Sequence, residues 1–370
     1  MKKFDMIVVG DPLLVTIAVS LLKSWGIKKL AASLSSGETY SHILSLPCPW
    51  DNQTRTVQAH GRVFAKSYRQ LFARGQILFK EFLEERKVEY VETPFFRVAQ
   101  SNHEKLEMIA AKRMIEEDFS DQHLPLLSRK FESFDVQQES SAIVVEDLLS
   151  QISKRAHAPS NAISIGKIVN LQLEHSGVTI ETDDHQKWES EFILLLDHRL
   201  IRRFFPSFQE VLLEVAEQYC ETDSLSGVAK SFSSGVYIFR HGNEIFNIFE
   251  DEHVLAGGFR YLRKNQGVEP DSYALEPKVE QEQIKAMKNY FSCSQVKIRS
   301  SWVDRTCLPC DELPVVGPLF GRERAIFCTG FAQQTFPQFF PFIEAVADLV
   351  LSGKANIDPR FYPQRHRMSL

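Results

Sequence analysis

The sequence predicts an α/β protein of two units: a doubly wound, Rossmann-like unit and a second unit built mainly on an antiparallel sheet. Three observations carry this. The chain opens Phe4-Asp5-Met6-Ile7-Val8-Val9-Gly10, a short buried strand ending in glycine, and runs directly into an apolar segment from Pro12 to Lys23. It ends on a strand, Ala325 to Cys328, followed by a helix over Pro341 to Leu351. Between these lie many short β-branched runs punctuated by turn residues.

Each element follows from local chemistry. Pro12 is tolerated in a first helical turn, so Pro12 to Lys23 reads as a helix, and Gly26 ends it. Lys29 to Leu34 reads as a second strand, which completes the start of a doubly wound sheet. Phe64, Tyr68, Leu71, Leu78, Phe79 and Phe82 recur at helical spacing, which predicts an amphipathic helix from Phe64 to Arg86. Val88 to Ala99 alternates like a strand, and Asn102 to Glu117 reads as a helix. Phe134-Asp135-Val136 is strand-like, and a helix is expected from Ala142 to Ala156. Short strands then fill Ala162 to Leu196, followed by Gly235 to Phe239, Ile245 to Phe249 and Val254 to Tyr261. A helix is expected over Glu280 to Tyr290. The doubly wound unit is expected from residues 1–50, 140–205 and 305–370, and the second unit from 51–139 and 206–304.

Composition narrows the function. The 370 residues are 44% hydrophobic and 25% charged, too apolar for a disordered chain, and 28 Phe predict aromatic cores. A formal net charge of -5 gives no electrostatic reason to expect nucleic acid or an anionic membrane as partner. Asp5, Gly10, Asp11 and Pro12 interrupt the N-terminal apolar stretch, so neither a signal peptide nor a transmembrane segment is expected. Six scattered Cys do not form a disulfide framework, which points to a reducing, cytoplasmic setting. Cys307-Leu308-Pro309-Cys310 is a single CxxC without further ligands, so no metal is expected there. His42 and His198 stand alone and read as polar loop residues.

Four segments, in order, go further. Phe96-Arg97-Val98-Ala99 precedes a charged helix, and Val254-Leu255-Ala256-Gly257-Gly258-Phe259-Arg260 is a strand ending in Gly-Gly. Trp302 to Gly317 contains Arg305, Asp311, Pro314 and Gly317, and Phe327-Cys328-Thr329-Gly330-Phe331 precedes the last helix. With the N-terminal strand-turn-helix, this order resembles the FAD-dependent D-amino-acid oxidase/glycine oxidase superfamily over nearly the whole chain. The resemblance implies FAD as cofactor, with Gly10, Asp11, Pro12, Ser33, Gly317, Thr329, Gly330 and Phe331 at the cofactor positions. It also implies that a small amino acid or secondary amine is oxidised by hydride transfer to flavin. Arg305, with Arg260 second, would grip the substrate carboxylate, since an Arg fork suits that group. Asp304 lies one residue from the aligned position.

The departures fall on the dinucleotide contacts. Aligned on Gly10, the G-x-G-x-x-G fingerprint has Pro12 and Val15 in place of its second and third glycines. Pro12 has no N–H to donate to a phosphate, and Asp11 adds a negative charge beside it. Ser33 stands where an acidic residue would hold the ribose, with Glu38 a few residues late. Leu196-Asp197-His198 replaces a small Ala-Gly turn. Two readings follow: a flavin enzyme acting on a small amine, or a flavin-free protein of the same fold acting as a binding or non-catalytic subunit, with a protein partner or a second copy.

Overall fold

The structure is a computed structural model that describes residues 3–35, 42–49, 53–120, 126–131, 134–155, 162–225, 232–332 and 335–366. The chain starts β1 (Lys3–Gly10), α1 (Pro12–Ser24), β2 (Leu30–Leu34) and β3 (His42–Ser45). A helical stretch follows, α2 (Gln53–His60) and α3 (Arg62–Glu85), then β4 (Val91–Ala99) and α4 (Asn102–Asp118). Next come β5 (Leu126–Phe131), β6 (Phe134–Glu146) and α5 (Leu148–Arg155), and four short strands, β7 (Ala162–Ile165), β8 (Ile168–Glu174), β9 (Gly177–Thr182) and β10 (Lys187–Leu195). After α6 (His198–Phe204) the chain makes β11 (Leu212–Thr222), β12 (Gly235–Phe239), β13 (Glu244–Ile248), β14 (Val254–Gly258) and α7 (Pro277–Phe291). It ends with β15 (Ile298–Pro309), β16 (Val315–Leu319), β17 (Arg322–Thr329) and α8 (Thr335–Ser352).

The strands form two sheets. In the first, β17, β10, β1, β2 and β7 run parallel, with β16 antiparallel on one edge and the β8–β9 hairpin attached to β10. Such a sheet is covered on both faces, so its central strands are apolar where they meet: Met6 to Val9 of β1 and Ile193 to Leu195 of β10 are all buried. Met6 and Val8 pack under α1, α3 and α8, whereas Ile7 and Val9 join the opposite cluster with Ile193, Leu195 and Phe327. The aromatic cores expected from the Phe content are present: Phe79 lies 5.2 Å from Phe336 and 5.4 Å from Phe340, ring centre to ring centre. The second sheet runs β15-β11-β14-β13-β12-β4-β6-β3, with β5 on β6, and only the β12–β4 pair is parallel. β3, from the 1–50 segment, therefore pairs into the second sheet. No helix of the described residues is long and apolar enough to cross a membrane.

Two expectations on element type need correction. The helix expected from Ala142 begins only at Leu148, because Ala142-Ile143-Val144-Val145 extends β6 between β3 and β4. All four of those residues are buried, so the run carries no period that separates strand from helix. The last helix starts at Thr335, and Pro341 lies inside it rather than at its head. β3, β5, β11, β15 and β16 lie in segments to which the sequence reading assigns no strand.

Candidate functional site

In an open parallel sheet, ligands bind beyond the carboxyl ends of the strands. Here β1, β10 and β17 end at Gly10, Leu195 and Thr329, and a solvent-open cleft of about 1160 Å³ lies past them. Asp11, Leu14, Leu196, Asp197, Thr329, Gly330 and Phe331 line its first-sheet side. β11 and β15 supply Tyr219, Trp302, Asp304, Arg305 and Thr306 opposite. A second cavity of about 1710 Å³ adjoins it at Thr306, Phe331 and Ala332 and includes Glu217 and Arg260. A third, of about 570 Å³, continues past Asp197 and Arg199 to Ser33, Ser35, Lys167 and Arg203.

At the β1 turn, Asp11 is the N-cap of α1. Its carboxylate accepts the Leu13 N–H at 2.8 Å, and Pro12 takes the first helical position. Asp197 does the same for α6, accepting the Arg199 N–H at 2.8 Å and pairing with the Arg199 guanidinium at 3.0 Å. Burial would raise the Asp197 carboxyl, but Arg199 and His198 outweigh it and hold it below the usual carboxylate range. Where the resemblance puts a diphosphate, the Asp11 carboxylate takes the Leu13 N–H and Pro12 supplies none; Asp197 stands at the turn that the resemblance puts near the adenine. The turn does not fit a dinucleotide diphosphate.

The family-like glycines are explained by packing. A Cβ on Gly10 would meet Leu196 Cβ at 2.7 Å, so Gly10 lets β1 approach the end of β10. Gly330 has φ +81°, and a Cβ there would lie 2.5 Å from Pro309 Cγ. Gly317 has φ +125° and lies under the Tyr362 ring, 2.6 Å from where a Cβ would stand, and does not line the cleft. Ser33 turns its hydroxyl to the Gly166 carbonyl at 2.9 Å. Glu38 lies outside the described residues, as does the side chain of His42.

The opposite wall is set by the β11–β15 register. Tyr219 pairs with Trp302 and Glu217 with Asp304. Directly opposed residues project to the same face of a sheet. The Tyr219 and Trp302 rings stack at 5.9 Å with planes 12° apart. Tyr219 OH donates to Glu217 at 2.9 Å, and the Trp302 indole donates to Asp304. Burial pushes the Glu217 carboxyl up to about 7, with Asp304 adding to the rise, and pushes Asp304 up to about 6.

Arg305 is the next residue along β15, so it projects from the other face. Its guanidinium carbon lies 3.7 Å from the Tyr273 ring centre, a cation–π contact, and Tyr273 OH donates to Glu214. His198 Nε2 meets Glu214 at 3.3 Å. Arg260 lines the adjoining cavity and donates from Nε to the Gln266 carbonyl at 3.2 Å. The two arginines therefore border different cavities. Asp11, Arg305, Thr329, Gly330 and Phe331 share the main cleft; Ser33 borders the third cavity; Gly10, Pro12 and Gly317 line none of the three. Of the CxxC, Cys307 is buried in β15 and Cys310 is exposed just beyond it.

No family model matches the chain, and no curated protein matches it. Solved structures do. The L-proline dehydrogenase of P. horikoshii superposes with a TM-score of 0.74 at 13% identity, covering 99% of this chain and 98% of its own. Iminodiacetate oxidase from Chelativorans sp. BNC1 gives 0.75 at 12% identity, covering 97% and 98%. Glycine oxidase from Geobacillus kaustophilus gives 0.75 at 12%, covering 99% and 100%. The chain has the fold of these oxidases and dehydrogenases. The sequence gives no signal that singles out Glu217, which lines the adjoining cavity.

Proposed function

We propose that this chain is a flavin-free member of the oxidase fold, whose cleft takes a small molecule lacking a diphosphate and which acts as a binding or non-catalytic subunit. The observation that carries the reading is the Asp11 carboxylate on the Leu13 N–H, a built-in anion at the helix start where a cofactor phosphate would bind. The internal packing of Gly10, Gly317 and Gly330 supports it, because these residues need no cofactor to account for them. The second reading is an FAD-dependent oxidoreductase acting on a small amino acid or amine. It is favoured by Thr329, Gly330 and Phe331 bordering the main cleft and by the connected space toward Ser33. The test is the visible spectrum of the purified protein, followed by denaturation, quantification of released flavin and titration of the native protein with FAD. The expected result is a colourless protein that leaves added FAD fluorescence unchanged. Flavin released at close to one per chain overturns the proposal in favour of the second reading.

A further inference from the structure

We propose that Cys310 is a thiol-exchange site: its exposed sulfur forms a mixed disulfide with a small disulfide of the glutathione class, and His366 is the base that takes the thiol proton. The inference stands apart from the cleft and holds whether or not the cleft takes a flavin.

Three observations combine. Exposure separates the six cysteines: Cys48, Cys220, Cys293, Cys307 and Cys328 are buried, and Cys310 is exposed. A buried imidazole lies against that exposed thiol. His366, in the short turn Pro363–His366, has a side chain only 9% exposed, and its Nδ1 lies 3.9 Å from Cys310 Sγ. Its other nitrogen, Nε2, is buried without a hydrogen-bond partner among the described residues and lies 3.8 Å from Asp311. Finally, the pair is held from both chain segments. The Cys310 N–H donates to the Val211 carbonyl at 2.9 Å. The Arg365 guanidinium grips Asp311 at 2.7 and 2.9 Å and also donates to the carbonyls of Leu313, Pro314 and Phe361. One arginine thus ties the residue after Cys310 to the residue before His366. Nucleophile, base and a carboxylate beyond the base follow one another in space, the order that activates a weak nucleophile.

The charges suit a resting pair that is not ionised. The charged groups facing it are Asp311, from the turn after β15, and Arg365, from the C-terminal turn. Burial and then Arg365 hold His366 below the ordinary imidazole range, against Asp311, so the ring is neutral and can accept a proton. Burial and then Asp311 push the Cys310 thiol up, against Arg365, so it keeps its proton until it reacts. In the exchange the S–H proton passes to His366 Nδ1 and the Cys310 sulfur attacks one sulfur of the disulfide. The S–S bond breaks, and the departing thiolate recovers the proton. One thiol and one disulfide give one mixed disulfide and one thiol, with no outside oxidant. Cys307 does not resolve the adduct from within the CxxC. It is buried in the apolar cluster with Val315 and Phe327, and β15 runs extended to Pro309. Three residues of extended chain separate Cα atoms by about 10 Å, beyond the roughly 7 Å that a disulfide spans.

Incubation of the full chain with glutathione disulfide, followed by intact-mass measurement and peptide mapping, tests this. One glutathione per chain is expected on the peptide that carries Cys310, removed by dithiothreitol and absent in Cys310→Ser. The rate of adduct formation tests the role of His366. Between the proton affinities of the imidazole and the thiol the pair holds a constant number of protons, so the wild-type rate should stay nearly level from about pH 7 to about pH 8.5. His366→Ala leaves a thiol without its base. Its rate should fall by about a hundredfold at pH 7 and then climb about tenfold per pH unit. Thermal melting identifies a variant that fails to fold, and the wild-type pH profile then carries the decision. No adduct, or an adduct on another cysteine of the folded protein, overturns the inference. So does a wild-type rate that climbs about tenfold per pH unit, or an unchanged rate and profile in folded His366→Ala.

Discussion

The carboxylate of Asp11 accepts the N–H of Leu13 at 2.8 Å, closing the first turn of α1 on itself. An N-cap of this kind is worth about 1 kcal/mol. Asp11→Ala should therefore lower the unfolding free energy by about that amount, read from urea denaturation. Combining it with Pro12→Gly restores an N–H and opens space at the turn. The double variant is expected to gain FAD affinity over wild type, measured by quenching of flavin fluorescence. Equal quenching in the two proteins would separate the cap from cofactor exclusion.

The first sheet was legible because its signals are local. Phe4 to Gly10 is β-branched and glycine-ended, and the Pro12 helix follows without a gap. β6 was misread because Ala142 to Val145 is buried on both faces and has lost its period. β11 was missed because Leu212 to Thr222 mixes acids with apolar residues in no clear alternation, and Glu217 and Gln218 are both buried. The site depended on something less accessible still. Asp304 and Arg305 both border the main cleft, and which of them stands opposite Glu217 and which reaches Tyr273 is a one-residue matter of strand register, since a shift of one exchanges the two faces. That register is fixed by pairing between β11 and β15, which are distant in sequence.

Glu217 makes stability depend on pH. Its carboxyl is pushed from 4.5 up to about 7 in the fold, so between those values the folded state holds a proton the unfolded chain has released. The contribution is intact below 4.5 and is lost as pH rises through about 7. Glu217→Gln removes the cost of ionising a buried acid while keeping an acceptor for Tyr219. It should be more stable than wild type by up to about 3 kcal/mol at pH 8, with the gap closing in acid. Denaturant midpoints of both proteins across pH measure this. A gap independent of pH would assign the effect to packing.

Glu139 gives the opposite slope. It is buried between Arg97, 2.8 Å from its Oε1, and Arg69, 3.0 Å from its Oε2, and Cys48 and Gln137 also donate to it. Burial alone would raise this carboxyl; the two guanidinium groups outweigh it and bring it to about 2. Its stabilisation is present above 4.5 and disappears as pH falls toward about 2. Glu139→Gln leaves two buried arginines without their counter-charge and should cost about 3–5 kcal/mol. The acid arm of the stability profile should flatten in the variant. An unchanged acid arm would place the titrating group elsewhere.

Gly75 ties the helical layer together through a carbonyl that α8 cannot use. Pro341 has no N–H, so the Pro337 carbonyl four residues earlier lacks its normal partner within α8. That carbonyl points at Gly75 of α3, and a Cβ built on Gly75 would overlap the Pro337 oxygen. Glycine is thus required by the close approach of two backbones; its φ is ordinary for a helix. The crossing also positions Phe79 against Phe336 and Phe340, and α8 begins at the edge of the cleft, where Thr335 and Phe336 line it. In an isolated helix, alanine would be favoured over glycine by up to about 1 kcal/mol. Here the backbone of α8 must move instead, so Gly75→Ala should destabilise by about 1–3 kcal/mol, the usual cost of overpacking. Unfolding by urea measures the loss. Stabilisation by alanine would mean that the two helices are held together by their aromatic side chains and not by this backbone contact.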